Sequence, residues 1–321
     1  MNLPHLQSVG FTCRDAEELA DWYGRWLGFQ PGERREHHAD AYAALIGLPG
    51  ASLIRQTLHL GEERLELHQV CDPGPGARPG RPVPADSRSN DLWFQHICLV
   101  TPALDAVAPP IEAQIAGGGL RSISSAPQRL PDWNPGAAGI VAFKFQDPDG
   151  HPLELLQFPA DKGDARWHGQ TTSTVLGIDH SAIGIRDPER TARFYGELLG
   201  LPHGGGGTNR GVEQDHLDGL EHTEVEIGSW RPAEGMGIET LGYRSPAGGR
   251  PQARDCGAQD LSHWQLRLQV EDLEAIASRV EAFGGALVSP GIVDLAGSLP
   301  GVSRAVQLSD PDGHRLQLVS A

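Results

Sequence analysis

Basic residues are scarce in this sequence, and long apolar runs do not occur in it. The 321 residues carry 26 lysines and arginines against 42 aspartates and glutamates, which gives a formal net charge of -16. This acidic balance argues against nucleic acid and anionic membrane surfaces as partners. The apolar stretches are also much shorter than the roughly 20 residues that a membrane-spanning helix needs.

Cysteines are few, and their spacing predicts no metal-binding or disulfide motif. The four cysteines stand at positions 13, 71, 98 and 256, without any C-x-x-C pair. Cys13 and Cys98 lie in alternating apolar runs, a pattern typical of small buried thiols. Residues 1–10 lack a basic stretch followed by an apolar core, so we expect no secretory signal. These features together predict a reduced, cytoplasmic protein.

The sequence contains internal repeats. Residues 147–151 and 310–314 both read DPDGH, and each lies between two strand-like stretches. Residues 8–15 and 180–187 alternate like strands, and each precedes an amphipathic helix pattern that ends in LGF or LGL. The chain is therefore predicted to consist of four units, each with a strand, a helix and several further strands.

The repeats predict an α+β fold of four βαβββ modules in two tandem domains with cupped mixed sheets. Each module is too small to bury both faces of its sheet alone, so two modules are expected to share one sheet. We place modules one and two in a first domain at residues 1–160, and modules three and four in a second at 175–321. The polar stretch 161–174 is predicted to be a linker.

Three local patterns give further expectations. An apolar repeat over 273–283 predicts one amphipathic helix that stops at Gly284. The helix of the second module is expected to be interrupted by Pro109 and Pro110. The glycine run 204–207 suggests a mobile segment, either a lid or simple disorder.

These features resemble the vicinal oxygen chelate superfamily, which includes glyoxalase I, bleomycin resistance proteins and extradiol dioxygenases. The resemblance covers nearly the whole chain and depends on the strand-helix-LGF/LGL units, the two DPDGH hairpins, and the strands at His96 and His180. It implies that paired modules surround one divalent metal ion, and that each module offers a ligand from its first and its last strand. Carried over in module order, these positions are Ser8 and Glu66, His96 and Glu154, His180 and Glu239, and Gln265 and Gln317.

Only the second and third modules have both a histidine and a glutamate at these positions. Imidazole and carboxylate are good ligands for Fe, Ni, Zn, Mn or Co, and a buried carboxylate needs a partner. Crosswise pairing, as in fused glyoxalase I proteins, would place His96, Glu154, His180 and Glu239 around one metal. We favour this arrangement because it collects every strong ligand. Sequential pairing, as in extradiol dioxygenases, stays open and would place Glu66 with His96 and Glu154.

Several other residues near these positions have a structural explanation beside a functional one. Glu66 and His68 share a strand face, where Glu66 is either a ligand or a carboxylate at the rim. His151 and His314 belong to the DPDGH turns and are expected to be structural or at the rim. His263 could turn inward if its strand contains a bulge.

The resemblance leaves three functions to consider. The first is a metal-dependent, glyoxalase-I-like isomerase or lyase that acts on a small substrate with neighbouring oxygens, with Glu154 or Glu239 as the general base. The second is an Fe(II) extradiol-type dioxygenase, although Lys144 stands where that family's signature has a tyrosine. The third is a non-catalytic, bleomycin-resistance-like binding protein. Its groove would be lined by aromatic residues, for which the candidates are Trp93, Phe94, Trp133 and Trp264. In each case the partner is a small oxygenated molecule, and the chain could form a homodimer.

Overall fold

The fold is described here from a computed structural model, for residues 4–169, 173–232, 234–295 and 297–320. The first module contains β1 (His5–Cys13), α1 (Ala16–Leu27), β2 (Gln30–His38), α2 (Ala41–Leu45), β3 (Ser52–Leu60) and β4 (Glu63–Asp72). The second contains β5 (Gln95–Val100), α3 (Leu104–Ala116), β6 (Arg121–Ser122), β7 (Gln128–Arg129), β8 (Val141–Gln146) and β9 (Pro152–Gln157). A 3-10 turn, Ala165–His168, follows the second module.

The third and fourth modules repeat this order. The third contains β10 (Gly177–Ile185), α4 (Pro188–Ala192) with a π-helical extension (Arg193–Leu198), β11 (His203–Arg210), α5 (Val212–Asp218), β12 (Glu224–Trp230) and β13 (Gly237–Ser245). The fourth contains β14 (Trp264–Gln269), α6 (Leu273–Ala277), a 3-10 turn (Val280–Phe283), β15 (Ala286–Leu287), β16 (Val293–Asp294), β17 (Arg304–Ser309) and β18 (Arg315–Ser320). No helix within the described ranges is long and apolar enough to cross a membrane.

The modules pair crosswise into two mixed sheets, which confirms the predicted α+β class. The first sheet joins modules one and four in the order β15-β17-β18-β14-β1-β4-β3-β2, with β16 on β17. The second joins modules two and three in the order β11-β12-β13-β10-β5-β9-β8-β6, with β7 on β8. At each centre the opening strands of two modules pair antiparallel, β1 with β14 and β10 with β5.

Because of this pairing, the two predicted domain ranges do not correspond to the two sheets. Residues 1–160 and 175–321 separate the repeats along the chain, but each sheet takes strands from both ranges. The reason is the antiparallel pairing of the opening strands, which joins the first module to the fourth and the second to the third. Neither sheet is therefore formed by one half of the sequence alone.

The helices differ from expectation in modules two and four. Helix α3 continues through Pro109 and Pro110, because its apolar face, including Val107 and Ile111, is buried against the sheet and offsets the missing backbone donors. In module four the predicted helix 273–283 is split. The Ser278 hydroxyl donates to the Ala275 carbonyl at 3.1 Å, and the backbone tightens into 3-10 bonds after that point.

The glycine run 204–207 lies in β11 and pairs with β12, so it is part of the sheet and not the loose segment that was predicted as either a lid or simple disorder. The strands approach closely there. A Cβ atom on Gly206 would lie 2.0 Å from the Ile227 carbonyl oxygen, whereas one on Gly207 would meet nothing within 4 Å. At position 206 the absent side chain therefore permits the strand pairing.

The first DPDGH turn belongs to the second sheet, but it binds residues of the first. The Tyr23 hydroxyl of α1 donates to Asp147 at 3.1 Å, and His151 Nδ1 lies 2.8 Å from the same carboxylate. His151 Nε2 is 2.9 Å from the Thr12 carbonyl oxygen of β1. His151 is fully buried and structural, as its place in the turn predicted.

The second DPDGH turn makes the reciprocal connection from the first sheet to the second. The Tyr195 hydroxyl donates to Asp310 at 3.1 Å, and His314 Nε2 is 2.7 Å from the Gly184 carbonyl oxygen. The main apolar core contains residues from both halves of the sequence, including the helix residues Leu27 and Phe194. The two sheets are thus held together by the repeated turns and by one shared core.

Candidate metal centre

Four predicted ligands project from the central strands of the second sheet. His96 and Glu239 lie on β5 and β13, and both are in register with Ala182 on β10 between them. Glu154 lies on β9 beside β5, and His180 is on β10 itself. We call this cluster of His96, Glu154, His180 and Glu239 the second-sheet cup.

Three of the four side chains converge closely. Ligand atoms of His96, Glu154 and His180 all lie within 4.8 Å of one another, and all three residues are buried. His96 Nε2 is 2.9 Å from Glu154 Oε2. Glu239 stands beside the three, with its Oε1 atom 3.6 Å from His180 Nε2 and 23% of its side chain exposed. Sequential pairing would have separated these residues between two sheets.

Asp179 is an additional member of the site that the strand pattern did not predict. Its Oδ2 atom is 2.9 Å from His180 Nδ1, although neighbours in a regular strand point to opposite faces. The register of β10 against β5 shifts between Ile178 and His180, so Asp179 occupies a bulge that turns it toward the histidine. Strand alternation alone gives no signal for such a contact.

A buried ion pair lies next to Glu154. Lys144 on β8 is in register with Glu154, and its Nζ atom is 2.8 Å from Asp218 Oδ1. The other Asp218 oxygen accepts hydrogen bonds from the Tyr243 hydroxyl at 3.0 Å and from Gln214 at 2.8 Å. Burial alone would lower the pKa of Lys144, but Asp218 and Glu154 outweigh burial and raise it. This lysine therefore places a permanent positive charge beside the cup.

The cup divides its charges unevenly. Burial lowers the pKa of His96 to about 4, so this ring is neutral. Burial alone would raise the pKa of Glu154, but Lys144 and the contact with His96 lower it to about 2. Burial would also lower the pKa of His180, but Glu239 and Asp179 outweigh it and raise the pKa to about 9. For Glu239 burial dominates and raises the pKa.

The residues of the cup fit a divalent metal ion. His180 Nε2 is buried and has no hydrogen-bond partner among the described residues, while its Nδ1 atom is bound to Asp179. A metal-binding histidine commonly has this arrangement, in which a carboxylate binds one nitrogen and leaves the other for the metal. Two imidazoles and two carboxylates are also a donor set that first-row divalent metals accept.

A cavity of about 580 Å³ opens onto the cup. Its polar wall includes Lys144, Glu154, His180, Arg231 and Glu239. Apolar side chains form another part of its lining, including Leu130, Ile140, Leu156, Phe158 and Leu217. Among the described residues that line it, none is Trp93, Phe94, Trp133 or Trp264, so the predicted aromatic groove is not formed by these four.

The corresponding place in the first sheet, which we call the first-sheet cup, is occupied by protein side chains. Its aligned positions are Ser8, Glu66, Gln265 and Gln317. Arg267 Nη2 lies 2.6 Å from Glu66 Oε2, and Arg267 Nε donates to Gln317 Oε1 at 2.6 Å. Glu66 is thus bound to a guanidinium group, not available as the ligand that sequential pairing would require.

His68 and His263 are also buried near the first-sheet cup. His68 Nε2 is 2.9 Å from the Tyr42 hydroxyl and 3.7 Å from Glu66 Oε2. Burial lowers the pKa of His68 to about 3 and that of His263 to about 4, so both rings are neutral. Neither belongs to the second-sheet cup, which contains no residue of modules one and four.

Comparison with known proteins agrees with this architecture. Residues 180–319 match the glyoxalase-like domain family. Glyoxalase I from Zea mays has a similar structure, with a TM-score of 0.60 and 16% identity over 99% of this chain and 92% of that one. A Bacillus subtilis protein with a proposed dioxygenase function gives a TM-score of 0.56 and 15% identity, over 99% and 86% of the two chains. No curated protein sequence matches significantly.

The fold and the cup define a class of proteins in which paired βαβββ modules surround a potential metal site. The third and fourth modules carry the match to the glyoxalase-like domain family, and the chain as a whole shares its fold with glyoxalase I from Zea mays. This shared fold does not by itself choose a reaction, because one fold serves many chemistries.

Proposed function

We propose that this chain is a divalent-metal-dependent enzyme that transfers a proton on a small substrate, as a glyoxalase-I-like isomerase or lyase does. The observation that supports this is the convergence of His96, Glu154 and His180 beside Glu239, with Glu154, His180 and Glu239 at the wall of one cavity. These four residues would bind the metal, with Glu239 either as a ligand or as a free carboxylate. The bound cation would supply Lewis-acid polarisation of neighbouring substrate oxygens.

The two carboxylates of the cup are suited to different tasks. Glu154 contacts His96 and lies beside Lys144, so it remains an anion fixed among buried cationic and neutral partners. Glu239 is partly exposed to the cavity, and burial raises its pKa, whereas the pKa of Glu154 is lowered, so Glu239 is the stronger base of the two. We therefore assign Glu239 as the general base and Glu154 as a permanent ligand.

Lys144 and the apolar wall complete this account. A buried ammonium group beside the cup stabilises negative charge that develops on a substrate oxygen. The apolar wall, including Leu156 and Phe158, excludes water from the carbon that exchanges its proton. The substrate is accordingly a small molecule with two neighbouring oxygens at one end and an apolar group at the other.

The first test is the metal content of the purified protein, measured by elemental analysis before and after dialysis against a chelator. We expect one ion per chain, and a large loss of metal affinity in His96→Ala.

The second test follows exchange of a carbon-bound proton in α-hydroxycarbonyl compounds by NMR in heavy water. Glu239→Gln should keep the metal and slow exchange by about 10² to 10⁴-fold, whereas Glu154→Gln should lose metal. If the protein binds no divalent ion, the proposal is wrong.

An Fe(II) dioxygenase is the second candidate. The set His96, Glu154 and His180 is a two-histidine, one-carboxylate arrangement, which is typical of non-haem iron oxygenases. Lys144 in place of a tyrosine, and the additional carboxylate of Glu239, weigh against it. Oxygen uptake with catechols, after iron loading without air, separates the two functions. Uptake that depends on both iron and catechol would favour the dioxygenase.

A binding protein without catalysis is the third candidate and predicts ligand depletion without product. It gains no support from the aromatic residues proposed for it, since Phe158 is the one phenylalanine, tyrosine or tryptophan among the described residues that line the cavity.

A further inference from the structure

The segment that connects the two halves of the sequence reaches the second-sheet cup. Trp167 belongs to the turn Ala165–His168 and is only 5% exposed. Its indole Nε1 donates to Asp179 Oδ1 at 3.2 Å, and Asp179 Oδ2 is 2.9 Å from His180 Nδ1. The predicted linker 161–174 is thus in contact, through one carboxylate, with a candidate metal ligand.

The strand next to the turn is shaped for this contact. A Cβ atom on Gly177 would lie 2.9 Å from the Trp167 ring and 2.4 Å from Glu63 Oε2, so the glycine gives both side chains their space. The bulge between Ile178 and His180 then turns Asp179 toward the indole and the imidazole together. Gly177 and the bulge both lie within the three residues before His180, the candidate metal ligand.

The first sheet fixes the other side of the turn. Arg166 stacks on the Trp167 ring, with its guanidinium carbon 3.9 Å from the ring centroid. Its Nη1 atom lies 2.6 Å from Glu63 Oε1 at the start of β4. The other Glu63 oxygen accepts a hydrogen bond from the Ile178 backbone N–H at 3.1 Å. Trp167 is therefore fixed by both sheets and not by the segment alone.

We propose that Asp179 and Trp167 are positioning residues that set the orientation and tautomer of His180. The Asp179 carboxylate accepts the Nδ1–H, which would leave Nε2 as the ligand atom once its own proton is lost on metal binding, and the Trp167 indole fixes the carboxylate. A partner of this kind typically changes metal affinity 10 to 100-fold. The proposal rests on the proposed metal centre. His96 has no equivalent support, because its Nδ1 atom has no hydrogen-bond partner among the described residues.

The test is the Zn²⁺ affinity of the full chain, measured by competition with a chelator. Asp179→Asn should weaken binding about 10 to 100-fold, and Trp167→Phe, which keeps the ring and removes the donor, should weaken it several-fold. In zinc-loaded protein with ¹⁵N-labelled histidine, the hydrogen-bonded His180 Nδ1–H signal should shift in Asp179→Asn, because asparagine offers one acceptor oxygen in place of two. Trp167→Phe should shift the same signal, whereas a tryptophan that contributes only to stability would leave it unchanged.

Two substitutions remote from the cup serve as matched controls. Asp147→Asn changes another buried aspartate bound to a histidine, His151, and Trp22→Phe removes an indole donor bound to Gln114 at 3.1 Å. Both should lower stability without changing zinc affinity. All affinities are compared at a temperature where each variant is folded.

The outcomes separate this inference from the proposed function. If the unsubstituted protein binds no zinc or other divalent ion, the metal centre itself is wrong. If it binds zinc and both Asp179→Asn and Trp167→Phe bind equally well, or if the controls weaken binding as much, the positioning role is overturned and the metal centre stands. Should Asp179→Asn fail to fold, Trp167→Phe decides alone.

Discussion

Arg267 and Glu66 form a buried ion pair at the place in the first sheet that corresponds to the second-sheet cup. Two guanidinium nitrogens contact the carboxylate, and the Nη2–Oε2 distance is 2.6 Å. Arg55 Nη1 lies 3.4 Å from the same carboxylate. Burial alone would raise the pKa of Glu66, but these two arginines lower it to about 2. A side-chain cation thus takes the place in the first sheet that corresponds to the proposed metal site of the second.

Removing this internal cation should destabilise the protein strongly. Arg267→Met leaves Glu66 buried with fewer partners, and the free energy of unfolding should fall by about 3–5 kcal/mol. The double variant Arg267→Met/Glu66→Gln should lose less than the single one, because no charge is left unpaired. Urea denaturation measures both. Arg244→Met, which removes an exposed pair with Glu226, is the control and should cost under about 1 kcal/mol.

Stability should also fall as the pH drops below neutral, because of His68. Its folded pKa of about 3 lies below the usual 6.5, so the unfolded chain takes up the proton first. The contribution of neutral His68 is complete above about pH 6.5 and falls by about 1.4 kcal/mol per pH unit below it. Urea denaturation at pH 7, 6 and 5 should show this slope, and His68→Gln should reduce it. The exposed His38→Gln control should leave the slope unchanged; an equal slope in His68→Gln would contradict the assignment.

Much of the second-sheet cup could be predicted because its signal is carried by repetition. His96 and His180 stand at equivalent places in the first strands of two modules, and a glutamate follows each in the last strand of its module. Once the crosswise sheets form, register alone brings these positions together. The choice between crosswise and sequential pairing needed the structure, since both arrangements use the same module pattern.

What could not be predicted depends on departures from regular geometry or on long-range contacts. Asp179 reaches His180 through a bulge, and alternation would have pointed it to the other face. Trp167 lies in a stretch whose composition resembles a plain linker. Arg267 lies in a strand with alternating apolar residues. Its burial could be predicted only if its partner Glu66, 201 residues away, were already known.

Two glycines of β11 allow a test of how closely β11 and β12 pack beside the cavity. Gly206→Ala would place a methyl group 2.0 Å from the Ile227 carbonyl oxygen, and the strands would have to separate. We expect a loss of about 1–3 kcal/mol in the free energy of unfolding, as for an overpacked site. Gly207→Ala is the matched control, since nothing lies within 4 Å of its added atom. Thermal and urea unfolding of the two variants compares them, and equal stabilities would show that the strand pair is looser than described.

The equivalence of the two cups predicts that the first sheet can be converted into a metal site. By strand register, Ser8 corresponds to His180, and Arg267 corresponds to Cys98. The variant that copies the second sheet carries Ser8→His, Gln265→His, Arg267→Cys and Gln317→Glu. It frees Glu66 as a fourth ligand and removes the competing guanidinium. Elemental analysis should then find two divalent ions per chain, against the one that we propose for the unsubstituted protein. Arg267→Cys alone should still bind one, because it lacks the imidazoles. A quadruple variant that folds and yet binds a single ion would mean that the first-sheet cup differs from the second in shape and not only in its side chains.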